Sequence, residues 1–506
     1  MNIFQNVQGN RPTKNKFDLS HERKMSLKMG TLTPFMVQEI VPGDSFKVNT
    51  EMLLRLQPML APIFHRVRVK TDYFFVPNRL VWDNWQKFIT GGEDGLNNSI
   101  HPYFQIDPTT PPSLVAKGSL ADYMGIPAID PLTMTNTLKI NALPFRAYQL
   151  IYDEYFRDEN LITAVAPNKT DGQDLRIFDT MTMRKRAWEK DYFTSCLPWA
   201  QKGGAVNVPT TVEYKPTAQT SGFGLPAGNL TAAGGAGTTA DIQVGGSDVS
   251  IENIEEIGIT INDLRVSVRL QEWLERAARS GSRYIETILS NFGILSSDAR
   301  IQRPEYLGGG VTPITISEVL STFQFSGDPD GEPQGTMKGH GIAVGNYGGF
   351  KRKFEEHGFV FGIMTIIPRT AYQQGIPKMF SRPDKFDYLW PSFAQLGEQE
   401  VKNQELFFDP TDGVGVNEQP FGYQSRYAEY KYQASTTHGD FKDNLSFWTM
   451  TRIFPSKPSL NEQFITADPT KRIFAVEDPN TDEILCQVYN SISAIRPLPY
   501  FNTPNL

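Results

Sequence analysis

The residues that could do chemistry are scattered along this chain. Six histidines, His21, His65, His101, His340, His357 and His438, form no H-x-H or H-E-x-x-H spacing, so no metal site of known pattern is written in the sequence. Cys196 and Cys486 are the only cysteines. They are too few for a disulfide framework or a thiolate metal site, and they read as buried free thiols. No G-x-S-x-G nucleophile elbow occurs. The Gly-rich run "GHGIAVGNYGGFKRKFEEHG" (339–358) lacks the G-x-x-x-x-G-K-[ST] of a phosphate loop and reads as a flexible loop. Carboxylates are numerous, as in "YDEYFRDEN" and "IENIEEI". A glycosidase needs two of them across a cleft, and sequence spacing defines no such pair.

Basic residues are better organised. Read as a strand, "FHRVRVKTDYFF" (64–75) puts Arg66, Arg68 and Lys70 on one face, with His65, Val67, Val69, Thr71 and Tyr73 on the other. "RKRAW" (184–188) and "KRKF" (351–354) are further basic stretches. Residues 11–28 carry Arg11, Lys14, Lys16, Arg23, Lys24 and Lys28 against Asp18 and Glu22. With Tyr73, Phe74, Trp82 and Trp85 nearby, a surface for single-stranded nucleic acid is conceivable. The plainer reading of the strand row is a solvated face or a set of ion pairs to acidic neighbours. The net charge of −7 argues against bulk attraction to nucleic acid, so any such contact must be local.

The elements that position these residues are mainly β. Apolar content of 39% can build a sizeable core, and 35 prolines with 41 glycines favour turns and long loops over a helical bundle. No run approaches the length of a membrane span, and the N-terminus lacks the apolar segment of a secretory signal. The expected protein is soluble, without membrane insertion, in a reducing compartment. Residues 11–28 read as an extended arm. Two β-rich runs flank a Pro42-Gly43-Asp44 turn signal. Helices are predicted at 78–89 and 143–160, with a short one at "SLADYMG". Another opens near Asn262 or Asp263, carries an apolar stripe of Leu264, Val268, Leu274 and Ala278, and breaks at Ser280-Gly281-Ser282 before a second helix to Gly293. Residues 203–258, rich in Gly, Ala and Thr, are a disordered linker or an exposed β-rich excursion. Strand composition returns at 314–325, 340–347, 357–368, 425–434 and 484–496. Strands thus open and close the chain, which points to one β-sandwich with large connections rather than alternating β and α units.

Several stretches are similar to a known family. "FDLSHERKMSLKMGTLTPFMVQEIVPGDSF", "RLQPMLAPIFHRVRVKTDYFFVPNRLVWDNWQKFITGG", "LPFRAYQLIYDEYFRDENL", "KDYFTSCLPWAQKG", "TINDLRVSVRLQEWLERAARSGSRYIETILSNFG", "SSDARIQRPEYLGGG" and "FGYQSRYAEYKY" resemble the major capsid protein of the Microviridae, nearest the gokushovirus-like branch. The resemblance implies a mainly β fold, an eight-stranded antiparallel jelly roll with large loop and helical insertions. It implies a T=1 shell of sixty copies around circular single-stranded DNA, assembled in the bacterial cytoplasm. It brings no catalytic residues and no cofactor. The partners it implies are a small basic DNA-binding protein, a pilot or minor capsid protein and a host surface receptor. On this reading residues 1–30 are a basic arm and 31–506 one capsid domain. Residues 203–258 would be a surface protrusion and 259–293 a helical insertion. Arg11, Lys14, Lys16, Arg23 and Lys24 are the nucleic-acid-facing candidates; Arg66, Arg68, Lys70 and Trp273 are the subunit-interface candidates. The rival reading is a β-sandwich carbohydrate-active enzyme.

Overall fold

Strict alternation sets the frame. In "SFKVNTEMLLRL" every second residue is apolar or small, and the strand it forms buries that set while its partners face outward. The computed structural model describes residues 13–92, 96–203, 243–244, 247–248, 261–280, 302–320, 322, 335–476, 478 and 480–501. The sandwich strands in chain order are β1 (Asn15–Asp18), β2 (His21–Leu27), β3 (Thr33–Ile40), β4 (Ser45–Leu56) and β5 (Val67–Pro77), then β6 (Glu305–Pro313), β7 (Thr315–Leu320), β8 (Met337–Lys353), β9 (Gly358–Pro368) and β10 (Ile484–Arg496).

Two antiparallel sheets result. The first runs β1-β10-β4-β8-β7, with β2 also on β10; the second runs β6-β5-β9-β3. Apart from β5–β6 and β7–β8, which are neighbours in one sheet, successive strands from β2 on change sheets, so β2-β10-β4-β8 faces β3-β9-β5-β6, the strand order of a jelly roll. The first sheet has β1 and β7 beyond that set of eight. β1 and β2 lie end to end along β10 in one register, with Asn15 opposite Arg496 and Leu27 opposite Ile484. The gap between them is bridged by Leu19 N donating to Ile492 O at 2.9 Å and Ile492 N donating to Ser20 Oγ at 3.0 Å. The stretch read as an extended arm is therefore, from Asn15 to Leu27, an edge strand laid along β10.

The Gly-rich run at 339–358 is another correction. It is not a flexible loop: the strand predicted at 340–347 is present and extends over Met337–Lys353 as β8, the longest strand of the sandwich. Its glycines admit a neighbouring backbone. A Cβ on Gly349 would lie 2.1 Å from Val48 O, just where the ladder to β4 shifts register. The predicted turn between β3 and β4 stands, with Gly43 at φ 91°. The predicted helix at 78–89 breaks into a 3-10 turn, Asn78–Leu80, and a helix, Trp85–Thr90. Between them Val81 and Trp82 are drawn wholly into the core. The predicted strand at 425–434 ends early, at Pro420–Ser425. Tyr427 takes the left-handed φ of 60° and starts a 3-10 turn instead.

Two cores serve the sandwich. One fills the space between the sheets, with Phe35, Phe46, Val48, Leu54, Val69, Tyr73, Phe75 and Val488 among its members. The other lies on the outer side of the second sheet. There Phe74, Val76, Phe359, Phe361 and Ile363 pack against α1 (Leu143–Ile151) and its neighbours. β9 is consequently buried along its whole length, which is why it reads as a near-continuous apolar run. α1 belongs to the long connection 78–304 between β5 and β6; a second long connection, 369–483, joins β9 to β10. A third cluster ties parts of the two together through Tyr192, Phe193, Tyr372, Val401, Phe421 and Phe464.

The chain divides into two units, Met1–Ala200 with Phe292–Leu506, and Gln201–Asn291. In the second unit the described helix is α2 (Ile261–Ser280). It ends at Ser280, where the break was predicted; the helix expected beyond it, and most of 203–258, lie outside the described residues.

Candidate assembly and nucleic-acid surfaces

Two members of the basic row, Arg68 and Lys70, are paired within the chain. β5 alternates in its first half, so Val67, Val69, Thr71 and Tyr73 enter the inter-sheet core while Arg68, Lys70 and Asp72 face the other way. Glu189, from the first long connection, meets that face. Its Oε1 lies 2.5 Å from Lys70 Nζ and 3.7 Å from Arg68 Nη1. Partial burial pushes the Glu189 carboxyl up, but Lys70, Arg68 and Arg186 outweigh it and hold the group below its ordinary range. Arg186 in turn pairs with Asp72 at 3.1 Å. Arg66 precedes the strand with its side chain exposed, and its carbonyl accepts Arg369 N at 2.9 Å. Arg68 and Lys70 thus form an intramolecular seam between sheet and insertion.

The N-terminal basic residues divide by the pleat. Arg23 lies on the inward side of β2, and its Nη2 donates to Tyr123 O at 2.6 Å. Lys14 Nζ donates to Gly43 O at 2.8 Å. Lys16 and Lys24 fall on the outward face of the first sheet, exposed. Arg11 lies outside the described residues.

Apolar side chains left in solvent mark a different kind of surface. In α2, Leu264, Val266, Val268, Leu270 and Trp273 are all exposed, Trp273 by 52%. Arg269 pairs with Glu272 at 2.6 Å one turn apart. The segment 378–396 is denser: Met379, Phe380, Phe386, Leu389, Trp390 and Leu396 are exposed, Phe380 by 72%. This segment is nonetheless held firmly. Arg382, nearly buried, donates to Tyr430 Oη at 2.6 Å, pairs with Glu429 at 3.3 Å and stacks on the Tyr430 ring at 4.4 Å. Trp390 N and Leu389 N donate to the hydroxyls of Tyr427 and Tyr430 at 3.3 Å. The stretch "FGYQSRYAEYKY" is the socket for this segment. Nothing in its composition announces that role, because Arg382 and Tyr430 meet only after folding.

Nothing in the described residues assembles a reaction centre. No group of three or more His, Cys, Asp or Glu side chains among them could hold a metal ion. The polar groups that are most buried act as fasteners. Asp191 accepts from Thr370 Oγ1 at 2.6 Å, Tyr372 Oη at 2.7 Å and Thr194 N at 2.8 Å. Arg146 Nε donates to Asp174 at 2.9 Å with both side chains fully buried. Cys196 and Cys486 are buried free thiols in separate cores, and burial pushes the Cys486 thiol up to about 12. No helix among the described residues is long and apolar enough to cross a membrane.

A jelly-roll sandwich whose buried ion pairs and hydrogen bonds fasten its insertions, and whose insertions present aromatic side chains to solvent, defines a structural protein built to join others. The chain belongs to the family described as Capsid protein (F protein), whose model matches residues 5–506. It is similar to Capsid protein VP1 of Bdellovibrio phage phiMH2K, 36% identical over 97% of this chain and 95% of that one. It is likewise similar to Capsid protein VP1 of Chlamydia phage 1, 34% identical over 97% and 96%, and of Spiroplasma virus 4, 27% identical over 99% and 97%. The protein is a structural, non-enzymatic capsid subunit of a bacteriophage virion, and it assembles in many copies. The reading as a carbohydrate-active enzyme is set aside.

Proposed function

We propose that sixty copies of this chain close into a T=1 icosahedral shell around circular single-stranded DNA, assembled in the host bacterial cytoplasm. The observation that carries this reading is the fixed, solvent-facing apolar segment 378–396 on a member of a capsid family. A side chain such as Phe380 stays exposed on a monomer only at a cost in solubility, and a neighbouring subunit removes that cost. Closed symmetry lets weak contacts add, so a shell is stable while each contact stays reversible. Trp273 of α2 belongs to the same class of contact. The genome-facing role falls to Lys16 and Lys24, the two N-terminal lysines exposed on the outward face of the first sheet. Since each subunit brings −7, a small basic DNA-binding protein or cations supply the remaining neutralisation. A pilot or minor capsid protein completes the particle, and residues 203–258 form a protrusion that meets a receptor on the host surface. Electron cryomicroscopy of the expressed protein tests the reading. Icosahedral particles with sixty copies support it; a monomer that stays monomeric at high concentration removes it.

A further inference from the structure

The end of the second sheet carries an apolar slot that its own chain leaves open. Ile63, Val67 and Ile314 form a buried floor, and Val311, Pro313 and Ile316 complete a space of about 390 Å³. Val311 is 59% exposed. Arg66 lines the same space with its side chain in solvent. Among the described residues it forms no ion pair, whereas Arg68 and Lys70, further along β5, are taken by Glu189. The register fixes where the slot lies. Val67 is opposite Pro368 and Arg68 is opposite Pro313, so β5 begins where β6 and β9 end. The connection 369–483, which carries the aromatic segment 378–396, leaves from this same end. No residue of that segment lines the slot of its own chain; Tyr427 and Tyr430 hold it instead. Within the segment, the 3-10 turn Lys385–Asp387 leaves Phe386 exposed between two carboxylates. Asp387 Oδ2 accepts Asp384 N at 3.0 Å and fixes the turn. Asp384 is exposed and forms no ion pair among the described residues. Lys385 Nζ lies 5.1 Å from the centre of the Phe386 ring, so two carboxylates and one ammonium leave the turn with a negative balance.

We propose that the turn at Phe386 of one copy docks in this slot of a second copy, with the ring between Ile63 and Val311 and Asp384 against Arg66. An aromatic side chain and an apolar slot, each left in water by a free subunit, are liabilities apart and complementary together. A ring seated in a pocket is the kind of contact that carries most of the energy of an interface. The opposite charges at the mouth add less energy, but they decide which surfaces meet. This assignment rests on the reading of 378–396 as a subunit contact and adds the surface of the second copy that receives it.

Full-length chains carrying Arg66→Asp, Asp384→Arg or both test the pairing. Each single change brings like charges together at every such contact in the shell. Shells counted in electron micrographs therefore fall to background at low salt and return in part at high salt, where exposed charges are screened. The double variant restores opposite charges and with them the parent's yield. Melting temperatures of unassembled subunits stay within about two degrees of the parent in all three, because both side chains are exposed. A second measurement does not depend on charge. Val311→Cys is combined with Lys385→Cys, which keeps Phe386 in place, and assembled protein is treated with a mild thiol oxidant. The native Cys196 and Cys486 are buried, so a link between chains that requires both new thiols reports the contact. Linked chains on a denaturing gel, released by reductant and missing from either single cysteine variant, support the docking. Parent-level shells from both single charge variants, a double charge variant no better than the singles, or shells that carry no link each overturn it and leave the shell reading standing. Failure of the unaltered chain to form shells removes the shell reading instead, and links between chains in concentrated solution still decide the docking.

Discussion

The Arg146–Asp174 pair offers the sharpest test of how the first insertion is held together. Both side chains are fully buried. Besides its bond to Asp174, Arg146 Nη1 donates to Thr170 O at 3.1 Å and to Val81 O at 3.3 Å. Asp174 Oδ1 also accepts Arg176 N at 3.0 Å. Arg146→Met would leave a buried carboxylate without its cation and two carbonyls without their donor. Breaking such a pair costs about 3–5 kcal/mol, because desolvation of the remaining charge is no longer offset. That is a large share of a total stability of about 5–15 kcal/mol. Removing both charges together, with Arg146→Met and Asp174→Leu, leaves no orphaned ion, so the double variant should recover much of the loss. Urea unfolding of purified subunits, followed by tryptophan fluorescence, measures all three. A single variant within about 1 kcal/mol of the parent, or a double variant no better than the sum of the singles, would falsify the idea that this pair ties α1 to the rest of its insertion.

Other substitutions separate assembly from folding. Trp273→Asp should give soluble subunits that fail to form shells; normal particles in electron micrographs would remove Trp273 from the interface. Phe380→Asp should also block assembly while leaving the melting temperature within a degree or two, because Phe380 lies in solvent and the Arg382 socket does not involve it. Glu189→Gln weakens a half-exposed seam, so a loss near 1 kcal/mol is expected in thermal unfolding, and a loss several times larger would mean the seam is more than an ion pair. His65 gives a pH dependence. Burial depresses its pKa and Arg472 adds to the fall, outweighing the Arg369 carbonyl that favours the charged ring. The folded state thus prefers neutral His65. Its contribution is complete above the ordinary histidine range and is lost as pH falls through that range toward the lower folded value. His65→Gln should flatten the fall in melting temperature across that interval; an unaltered slope would assign the acid sensitivity elsewhere.

Strands with strong local patterning were legible in the sequence. β10 spans the predicted 484–496, and β9 starts one residue inside the predicted 357–368. β9 could be read because burial on both faces leaves a near-continuous apolar run, interrupted by Thr365. β8 could be read only in its stretch 340–347; its remainder was hidden because its glycines serve backbones that approach from distant parts of the chain, and glycine in isolation signals a loop. The strand formed by β1 and β2 was hidden for a similar reason. Its outward residues are Lys, Asp, Ser and Glu, and its partner, β10, is the last strand of the chain. The basic row of β5 was visible as a row, but Glu189, which pairs with Arg68 and Lys70, was not. The aromatic segment 378–396 drew no attention at all, since exposure is a property of the folded surface.

The two sheets differ in a way that fixes how a subunit can meet its surroundings. On the second sheet Phe74, Val76, Phe359, Phe361 and Ile363 project away from the inter-sheet core. Left bare, they would form a large apolar face, and burying one such side chain is worth roughly 1.5–3 kcal/mol. The chain covers that face itself, with a connection leaving directly from β5, so the cover forms with the fold and does not wait for assembly. The first sheet has no such requirement. Its outward side chains are Lys, Ser, Asn, Gln and Glu with a few apolar residues, and water satisfies them in a free subunit. The second sheet is thus finished within the monomer, while the outward face of the first stays open to solvent in the free subunit.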